Sequence, residues 1–74
     1  MPKKEKKDLT FEYVAIANRI VEVVREKKRI HILKLSFETG FSIYKIRKAW
    51  EAVGDLFPDV DFFEDGYFEV VKQR

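Results

Sequence analysis

The chain lacks cysteine and contains little glycine or proline. Its 74 residues include 3 Gly, 2 Pro, 1 Trp and 1 His. No run of apolar residues approaches the roughly 20 that a helix needs to cross a bilayer, and no signal peptide is recognisable. Without cysteine, a disulfide and a thiolate metal site are both excluded, so the core must form by ordinary packing. A chain of this length fits one domain, and we expect a soluble, cytoplasmic protein.

The residues that are present are typical of a folded, heat-resistant domain. Hydrophobic residues make up 46% of the chain, which argues against disorder. Lys and Glu dominate the charged residues, whereas Asn and Gln occur once each, at Asn18 and Gln73. Enrichment of Lys and Glu together with few thermolabile residues is a tendency of hyperthermophilic proteins, so the composition suggests a thermophilic source.

The net charge of +2 hides two unlike halves. Residues 1–50 carry 13 Lys and Arg against 6 Asp and Glu, a balance of +7, whereas residues 51–74 carry 2 against 7, a balance of −5. A protein with such a dipole can bind a polyanion through one side although its net charge is small. The alternative is that both halves are ordinary solvated surface.

The N-terminal part predicts a basic arm followed by a helix. Residues 1–7, MPKKEKK, contain nothing to bury, and we expect a flexible arm that precedes a domain over residues 8–74. Such an arm either adds phosphate contacts or only keeps the chain soluble. A first helix should begin near Asp8 or Thr10, both of which can cap it, and end near Lys28. Its apolar side chains recur at helical spacing: Tyr13, Ile16, Ala17, Ile20, Val21, Val23 and Val24.

The middle of the chain predicts two further helices. Residues 29–31 are too short and too β-branched for a helix interior, and they favour an extended stretch before a second helix over residues 32–39. Gly40 then suits a left-handed turn, and Ser42 is placed to cap a third helix. This third helix should run from Ile43 to Val53 or as far as residue 56, where Gly and Pro end it.

The last segment is typical of a β-hairpin. Residues 60–64 and 67–71 are rich in Val, Phe and Tyr, and Asp65-Gly66 separates them. Asp-Gly between two such runs is a strong hairpin signal. A two-residue loop would set the following pairs: Glu64 with Tyr67, Phe63 with Phe68, Phe62 with Glu69, and Asp61 with Val70.

This pairing also predicts which side chains of the hairpin face the core. Directly opposed residues of two strands lie on the same face. Phe63, Phe68 and Val70 should therefore lie in the core, and Phe62 and Tyr67 should lie on the outer face.

The order of these elements resembles that of a winged helix-turn-helix domain. The resemblance is carried by residues 32–46, ILKLSFETGFSIYKI, and by the hairpin at 61–71, which resembles the wing. The positions that match the family pattern are the apolar Leu35, the small Ser36, the turn residue Gly40, the apolar Phe41, the cap Ser42 and the apolar Ile46. The resemblance implies an α+β fold that is mainly α, with a three-helix helix-turn-helix core and a two-stranded C-terminal wing, similar to small archaeal members.

The chain also departs from the family pattern. Thr39 stands where the family usually has an aliphatic residue, and Leu33, Phe37 and Ile43 stand where it often has polar ones. The wing is acidic, whereas a wing that contacts phosphates usually carries Lys or Arg. Because acidic residues repel a phosphate backbone, any DNA would have to be bound mainly by the third helix and the arm.

The resemblance implies binding of double-stranded DNA, as a small transcriptional regulator or nucleoid-associated protein. The third helix would then enter the major groove, which admits one helix. Basic side chains and hydroxyls can contact phosphates and base edges. The residues expected to do so are Ser42, Tyr44, Lys45, Arg47 and Lys48, helped by Lys3 and Lys4 of the arm. The alternative is that these basic residues only form a solvated helix face.

A second hypothesis is protein association. Leu33, Phe37, Phe62 and Tyr67 exceed what a small core needs, and exposed apolar clusters mark interfaces. They would serve a homodimer, or a protein partner that binds the acidic wing within a replication or transcription assembly. A dimer would also suit a palindromic DNA site. The alternative is that each of these residues belongs to the core.

The sequence favours neither catalysis nor a cofactor. His31 is the single histidine and is better explained by a helix start or by packing, and Ser36 by the turn. The carboxylates from Asp59 to Asp65 do not follow the calcium-loop pattern, and there is no Gly-rich phosphate loop. We therefore predict no catalytic site, no metal site and no cofactor.

Overall fold

Three helices and a small antiparallel sheet make up the fold. A computed structural model describes residues 3–72, with the side chains of residues 11–72. The elements are α1 (Lys3–Lys27), β1 (Arg29–His31), α2 (Ile32–Thr39), α3 (Ile43–Val53), one turn of 3-10 helix (Gly54–Leu56), β2 (Val60–Phe62) and β3 (Tyr67–Val70). The predicted fold class, three helices followed by a C-terminal hairpin, is confirmed.

Helix α1 packs a broad apolar stripe against the rest of the domain. Over residues 11–27, its buried side chains all come from the predicted stripe: Ile16, Ala17, Ile20, Val21, Val23 and Val24. The helix begins at Lys3, before the predicted start near Asp8, and ends at Lys27. Residues 1–2 of the predicted arm lie outside the described residues, and the flexibility of residues 1–7 stays a prediction. Lys28 adopts a left-handed φ of 73°, so the chain turns directly into β1.

The turn between α2 and α3 is stabilised by side-chain hydroxyls. Gly40 has the left-handed φ of 83° that favours glycine, and its N–H donates to the carbonyl of Ser36. Ser36 Oγ donates to the carbonyl of Phe41 (2.6 Å), and the N–H of Phe41 donates to Thr39 Oγ1 (3.2 Å). Thr39 Oγ1 itself donates to the carbonyl of Leu35 (2.8 Å). Thr39 therefore stabilises the turn at a position where an aliphatic side chain could not.

Residues 29–31 form a paired strand. β1 pairs with β3 in antiparallel fashion, so the sheet has three strands in the order β1-β3-β2. Ile30 lies opposite Phe68, and both side chains are buried. The sequence predicted an extended stretch here but not its partner, because so few residues cannot show strand periodicity.

The turn of the β2-β3 hairpin is one residue longer than predicted. The N–H of Phe63 donates to the carbonyl of Tyr67 (2.8 Å), and the N–H of Gly66 donates to the carbonyl of Phe63 (2.9 Å), which leaves residues 64–66 as the loop. Gly66 has a φ of 92°, as expected for a type I turn followed by a bulge. Asp65 Oδ1 accepts the N–H of Tyr67 (3.2 Å).

The pairing of β2 with β3 differs from the prediction. The observed pairs are Val60 with Val70, Asp61 with Glu69, and Phe62 with Phe68, so the predicted register is wrong.

Because of this one-residue shift in register, the side chains of β2 lie on the opposite faces of the sheet from those predicted. Neighbouring residues of a strand point to opposite sides of the sheet, so a shift of one residue turns the strand over. Phe62 faces the core and stacks on Phe68 with ring centroids 4.4 Å apart, whereas Phe63 is exposed. The predictions that Phe63 lies in the core and that Phe62 lies on the outer face are therefore wrong. Phe68 faces the core as predicted.

Phe68 joins the sheet to α3. Its side chain is fully buried, and the Trp50 ring meets it edge-on with centroids 5.3 Å apart. Trp50 also stacks on Phe57, with centroids 6.1 Å apart. A Cβ at Gly54 would lie 2.8 Å from the indole ring of Trp50. Glycine is therefore required where α3 ends, because the indole packs against its backbone.

The topology is winged-helix-like. One strand lies between the first two helices, and a hairpin follows the third helix and completes the sheet. α3 packs along α1, so the opposite side of α3 points to solvent. Within residues 3–72, no helix combines the length and the apolar character needed to cross a membrane.

Candidate nucleic-acid interface

The outward side of α3 carries the main cluster of predicted site residues. Ile46, Ala49 and Val53 are buried at spacings of three and four, so this side of the helix packs on the core. All predicted site residues on or beside this helix are exposed: Ser42, Tyr44, Lys45, Arg47 and Lys48. The structure therefore brings them together on one surface.

Ser42 fixes the start of this surface. Its Oγ accepts the backbone N–H of Lys45 at 3.1 Å, which confirms the predicted N-cap. The cap uses the hydroxyl as an acceptor and leaves its proton free to be donated. The first turn of α3 contains no acidic residue, so the partial positive charge of the helix start is not offset there.

In the part of the chain whose side chains are described, the basic side chains of α3 are not neutralised by carboxylates. Among residues 11–72, no carboxylate oxygen lies within 4.0 Å of Lys45, Arg47 or Lys48. Lys48 Nζ lies 5.8 Å from the centre of the Tyr44 ring, one turn earlier on the same face. Glu51 follows one turn later and lines a hollow of about 410 Å³ together with Ile43, Tyr44, Arg47 and Lys48. The face is therefore basic at its start and mixed at its end.

A groove separates α3 from the hairpin turn. Its volume is about 470 Å³, and it is lined by Ile32, Ile43, Arg47, Phe62, Phe63, Glu64 and Gly66. Arg47 and Glu64 are its charged residues, and the others supply mainly apolar surface. Because Arg47 also lines the hollow beside Tyr44, it stands at the centre of this surface.

Two acidic residues of the C-terminal segment are paired with arginines. Arg25 Nε and Nη2 donate to the two carboxylate oxygens of Asp59 at 2.8 and 3.0 Å. These hydrogen bonds lower the pKa of Asp59 and raise the pKa of Arg25. Glu69 lies 4.0 Å from Arg29. Within the described side chains, the acidic residues of the hairpin that have no such ion pair are Asp61, Glu64 and Asp65.

The four residues predicted as a partner interface do not lie together. Leu33 and Phe37 are 60% and 85% exposed, one turn apart on the outer side of α2. Phe62 lies against the core, so its predicted outward position is wrong. Tyr67 lies on the outer face as predicted, but it is half-buried, with the guanidinium carbon of Arg29 3.7 Å from its ring centre. Only Leu33 and Phe37 therefore form an exposed apolar pair.

Sequence reasoning placed His31 correctly and missed Phe63. His31 caps α2 through Nδ1, which accepts the N–H of Leu33 at 3.2 Å, so the expected helix-start position is confirmed. Phe63 is 40% exposed and takes the outer position that was predicted for Phe62. The signal that could have found it is Gly66, because a glycine at this position also fits a three-residue loop with a bulge.

Lys3 and Lys4 belong to the N-terminal turn of α1. Their side chains lie outside the described residues. Their contacts with phosphate therefore stay a prediction.

Comparisons with models of protein families, with curated proteins and with solved structures find no match for this chain. Within the described side chains, no group of three His, Asp or Glu residues could hold a metal ion.

Proposed function

We propose that the chain binds double-stranded DNA through the outward side of α3, as a small winged-helix transcriptional regulator or nucleoid-associated protein of the cytoplasm. The observation that carries this proposal is a cluster of cationic side chains on one exposed helix face. Lys45, Arg47 and Lys48 are exposed and lack carboxylate partners among residues 11–72. Charges that are not used inside the protein are free to neutralise phosphates.

The proposed mechanism places α3 in the major groove. The groove is roughly 12 Å wide and admits one α-helix. Arg47 lies centrally and has the planar fork that suits a guanine edge, whereas Lys45 and Lys48 contact phosphates. Tyr44 and Ser42 donate their hydroxyl protons to the backbone, which positions the helix without reading sequence.

The hairpin sets the orientation of the DNA in this proposal. Asp61, Glu64 and Asp65 lack arginine partners in the described part of the chain and repel a phosphate backbone. Glu64 lines the groove that also contains Arg47, so the duplex must approach from the side of Tyr44 and Lys48. The wing then stays away from the duplex and does not insert into it.

Duplex binding across a salt series tests this proposal. Each phosphate contact contributes about −0.9 to the slope of log K against log salt. The variant Lys45→Gln/Lys48→Gln should therefore reduce the slope by about 1.8 and weaken binding at low salt. A matched control is Lys28→Gln/Lys72→Gln, which removes the same charge from exposed positions away from α3. Equal losses in both variants, or no wild-type binding at low salt, would contradict a site on α3.

A second candidate function is association through α2. Leu33 and Phe37 expose apolar surface side by side, although a small domain gains by covering such residues. A homodimer through this pair would place two copies of α3 on one duplex, as a palindromic site requires. A protein partner of the acidic wing would meet Phe63 as the exposed aromatic residue of that face.

Sedimentation of the wild type and of Phe37→Glu tests the association. We expect a dimer that the substitution converts to a monomer, because a charge is costly in an apolar interface. Phe11→Glu is a matched control, since Phe11 is also highly exposed but lies on α1. A wild type that stays monomeric at the highest attainable concentration would exclude the dimer.

A further inference from the structure

We propose that a second hollow, at the junction of α1, β1 and α2, is a binding site for a phosphate group. The hollow has a volume of about 320 Å³ and is lined by Lys27, Arg29, Ile30, His31, Lys34 and Tyr67. Three of these residues are lysine or arginine, and a fourth is the single histidine of the chain. This hollow does not include any residue of α3, so the site does not depend on the proposed function.

The fold brings these groups together from separate elements. Arg29 and His31 are alternate residues of β1 and share a face, because Ile30 between them is buried. The register places Tyr67 opposite His31 on the same face of the sheet. Lys27 ends α1 just before the strand, and Lys34 lies in the first turn of α2. The start of α2 carries no acidic residue, so its partial positive charge adds to the cluster.

The positive charge of the hollow is only weakly compensated. Lys27 and Glu38 are 3.9 Å apart, and Arg29 and Glu69 are 4.0 Å apart, whereas Arg25 binds Asp59 at 2.8 Å through two hydrogen bonds. Lys34 has no carboxylate oxygen within 4.0 Å among residues 11–72. Ion pairs at such distances between exposed side chains contribute little, so an anion can compete for these cations.

The arrangement of Tyr67 favours a phosphate over an aromatic base. The guanidinium carbon of Arg29 lies 3.7 Å from the centre of the Tyr67 ring, so one face of the ring is covered. The His31 ring meets Tyr67 edge-on, with centroids 4.9 Å apart. Tyr67 therefore orients the cationic fork of Arg29, and the ring face that the guanidinium covers is closed to stacking. A phosphate has enough acceptor oxygens to bind the fork and the ammonium groups of two lysines at once.

His31 closes the hollow on the side of the hairpin. Its Nδ1 accepts the N–H of Leu33, which places the proton of the neutral ring on Nε2. A Cβ at Gly66 would lie 2.6 Å from His31 Nε2, so the ring lies directly against this glycine. Gly66 also lines the groove beside Arg47. The hollow and the groove are therefore neighbours, and the phosphate can belong either to a nucleic-acid backbone or to a free phosphorylated molecule.

Titration with inorganic phosphate, followed by amide NMR shifts at constant ionic strength, tests the site. We expect shifts of Ile30 and Lys34 that saturate, and an affinity about tenfold weaker in Lys34→Gln, because one charged donor is lost. Lys28→Gln is the matched control, since it removes the same charge from the residue that precedes Arg29 but does not line the hollow. Shifts that do not saturate, or equal weakening in the control, would overturn the proposal.

Arg29→Lys separates a shaped site from a simple accumulation of charge. This variant keeps the charge but loses the planar fork and its stacking on Tyr67. The proposal predicts weaker phosphate binding, and unchanged binding would overturn it. Lys45→Gln/Lys48→Gln should leave the phosphate-dependent shifts of Ile30 and Lys34 as they are in the wild type, so failure of the α3 proposal and failure of this one are distinguishable.

A duplex titration of Lys34→Gln identifies the source of the phosphate. A decrease of about 0.9 in the salt slope, together with weaker phosphate binding, assigns the site to a nucleic-acid backbone. An unchanged slope together with weaker phosphate binding assigns it to a free phosphorylated molecule. Both outcomes support the site.

Discussion

The outward side of α3 and the hairpin carry charges of opposite sign and use them differently. On α3, Lys45 and Lys48 point to solvent with no carboxylate nearby among residues 11–72. At the hairpin, Arg25 holds Asp59 by two hydrogen bonds, and Arg29 approaches Glu69. A count of charges along the sequence gives residues 1–50 a balance of +7 and residues 51–74 a balance of −5, but it does not show which of these charges are paired. The structure shows that part of the negative charge is engaged within the protein, whereas the positive charge of α3 has no ion pair within the described side chains.

The largest loss of stability is expected when the Phe68 side chain, which packs the hairpin against α3, is removed. Phe68→Ala should cost about 3–5 kcal/mol of unfolding free energy, because a fully buried ring between Trp50 and Phe62 is lost. Urea unfolding followed by Trp50 fluorescence measures it. The control Phe63→Ala lies on the outer face and should stay within about 1 kcal/mol of the wild type. Equal losses in the two variants would contradict the observed register.

A smaller loss of stability is expected when the Asp59 carboxylate, which accepts two hydrogen bonds from Arg25, is removed. Asp59→Asn should be less stable than the wild type at neutral pH, because Arg25 loses its charged partner. Arg25 lowers the pKa of Asp59 in the folded state. The stabilisation is therefore complete above the ordinary Asp pKa of about 3.9 and is lost as the pH falls through the lower folded value. Thermal melting along an acid series should show the two proteins converging.

Asp61→Asn is the control for this measurement. Asp61 is exposed and has no arginine partner in the described part of the chain. Its stability should follow that of the wild type at every pH. A difference between Asp59→Asn and the wild type that persists unchanged into acid would show that the ion pair is not its cause.

The smallest change in stability is expected from substitutions on the outward side of α3. Lys45→Gln/Lys48→Gln should change the unfolding free energy by no more than about 0.5 kcal/mol, because neither side chain contributes an ion pair in the described residues. Urea unfolding at low and high salt measures this. A marked loss of stability would mean that these cations already have a role within the fold.

Local signals in the sequence predicted much of this fold. Ser36, Gly40 and Ser42 act through neighbours a few residues away, so the turn between α2 and α3 was predictable. The residues of α3 that were expected to contact DNA, Tyr44, Lys45, Arg47 and Lys48, are likewise exposed. The contacts that the sequence did not reveal join distant residues. The pairing of β1 with β3 and the ion pair of Arg25 with Asp59 have no local signature.

The hairpin register was missed for a different reason. Asp65-Gly66 fits either a two-residue or a three-residue loop, and tandem phenylalanines at 62 and 63 offer an apolar residue to the core in both cases. The residues that discriminate are Val60 and Asp61. In the predicted register the aspartate would face the core and the valine would face solvent, which is costly for both.

The three-residue loop therefore restricts which changes in hairpin length keep the side chains of β2 on their present faces. If the loop keeps three residues, removal of one residue between Phe63 and Tyr67 would bring Asp61 inward beside Phe68, whereas removal or insertion of two residues would preserve the facing of the strand. Among hairpins that keep the three-residue loop, we expect viable length variants to differ by even numbers of residues. The tip of the hairpin can then lengthen during divergence without disturbing the aromatic stack beneath α3.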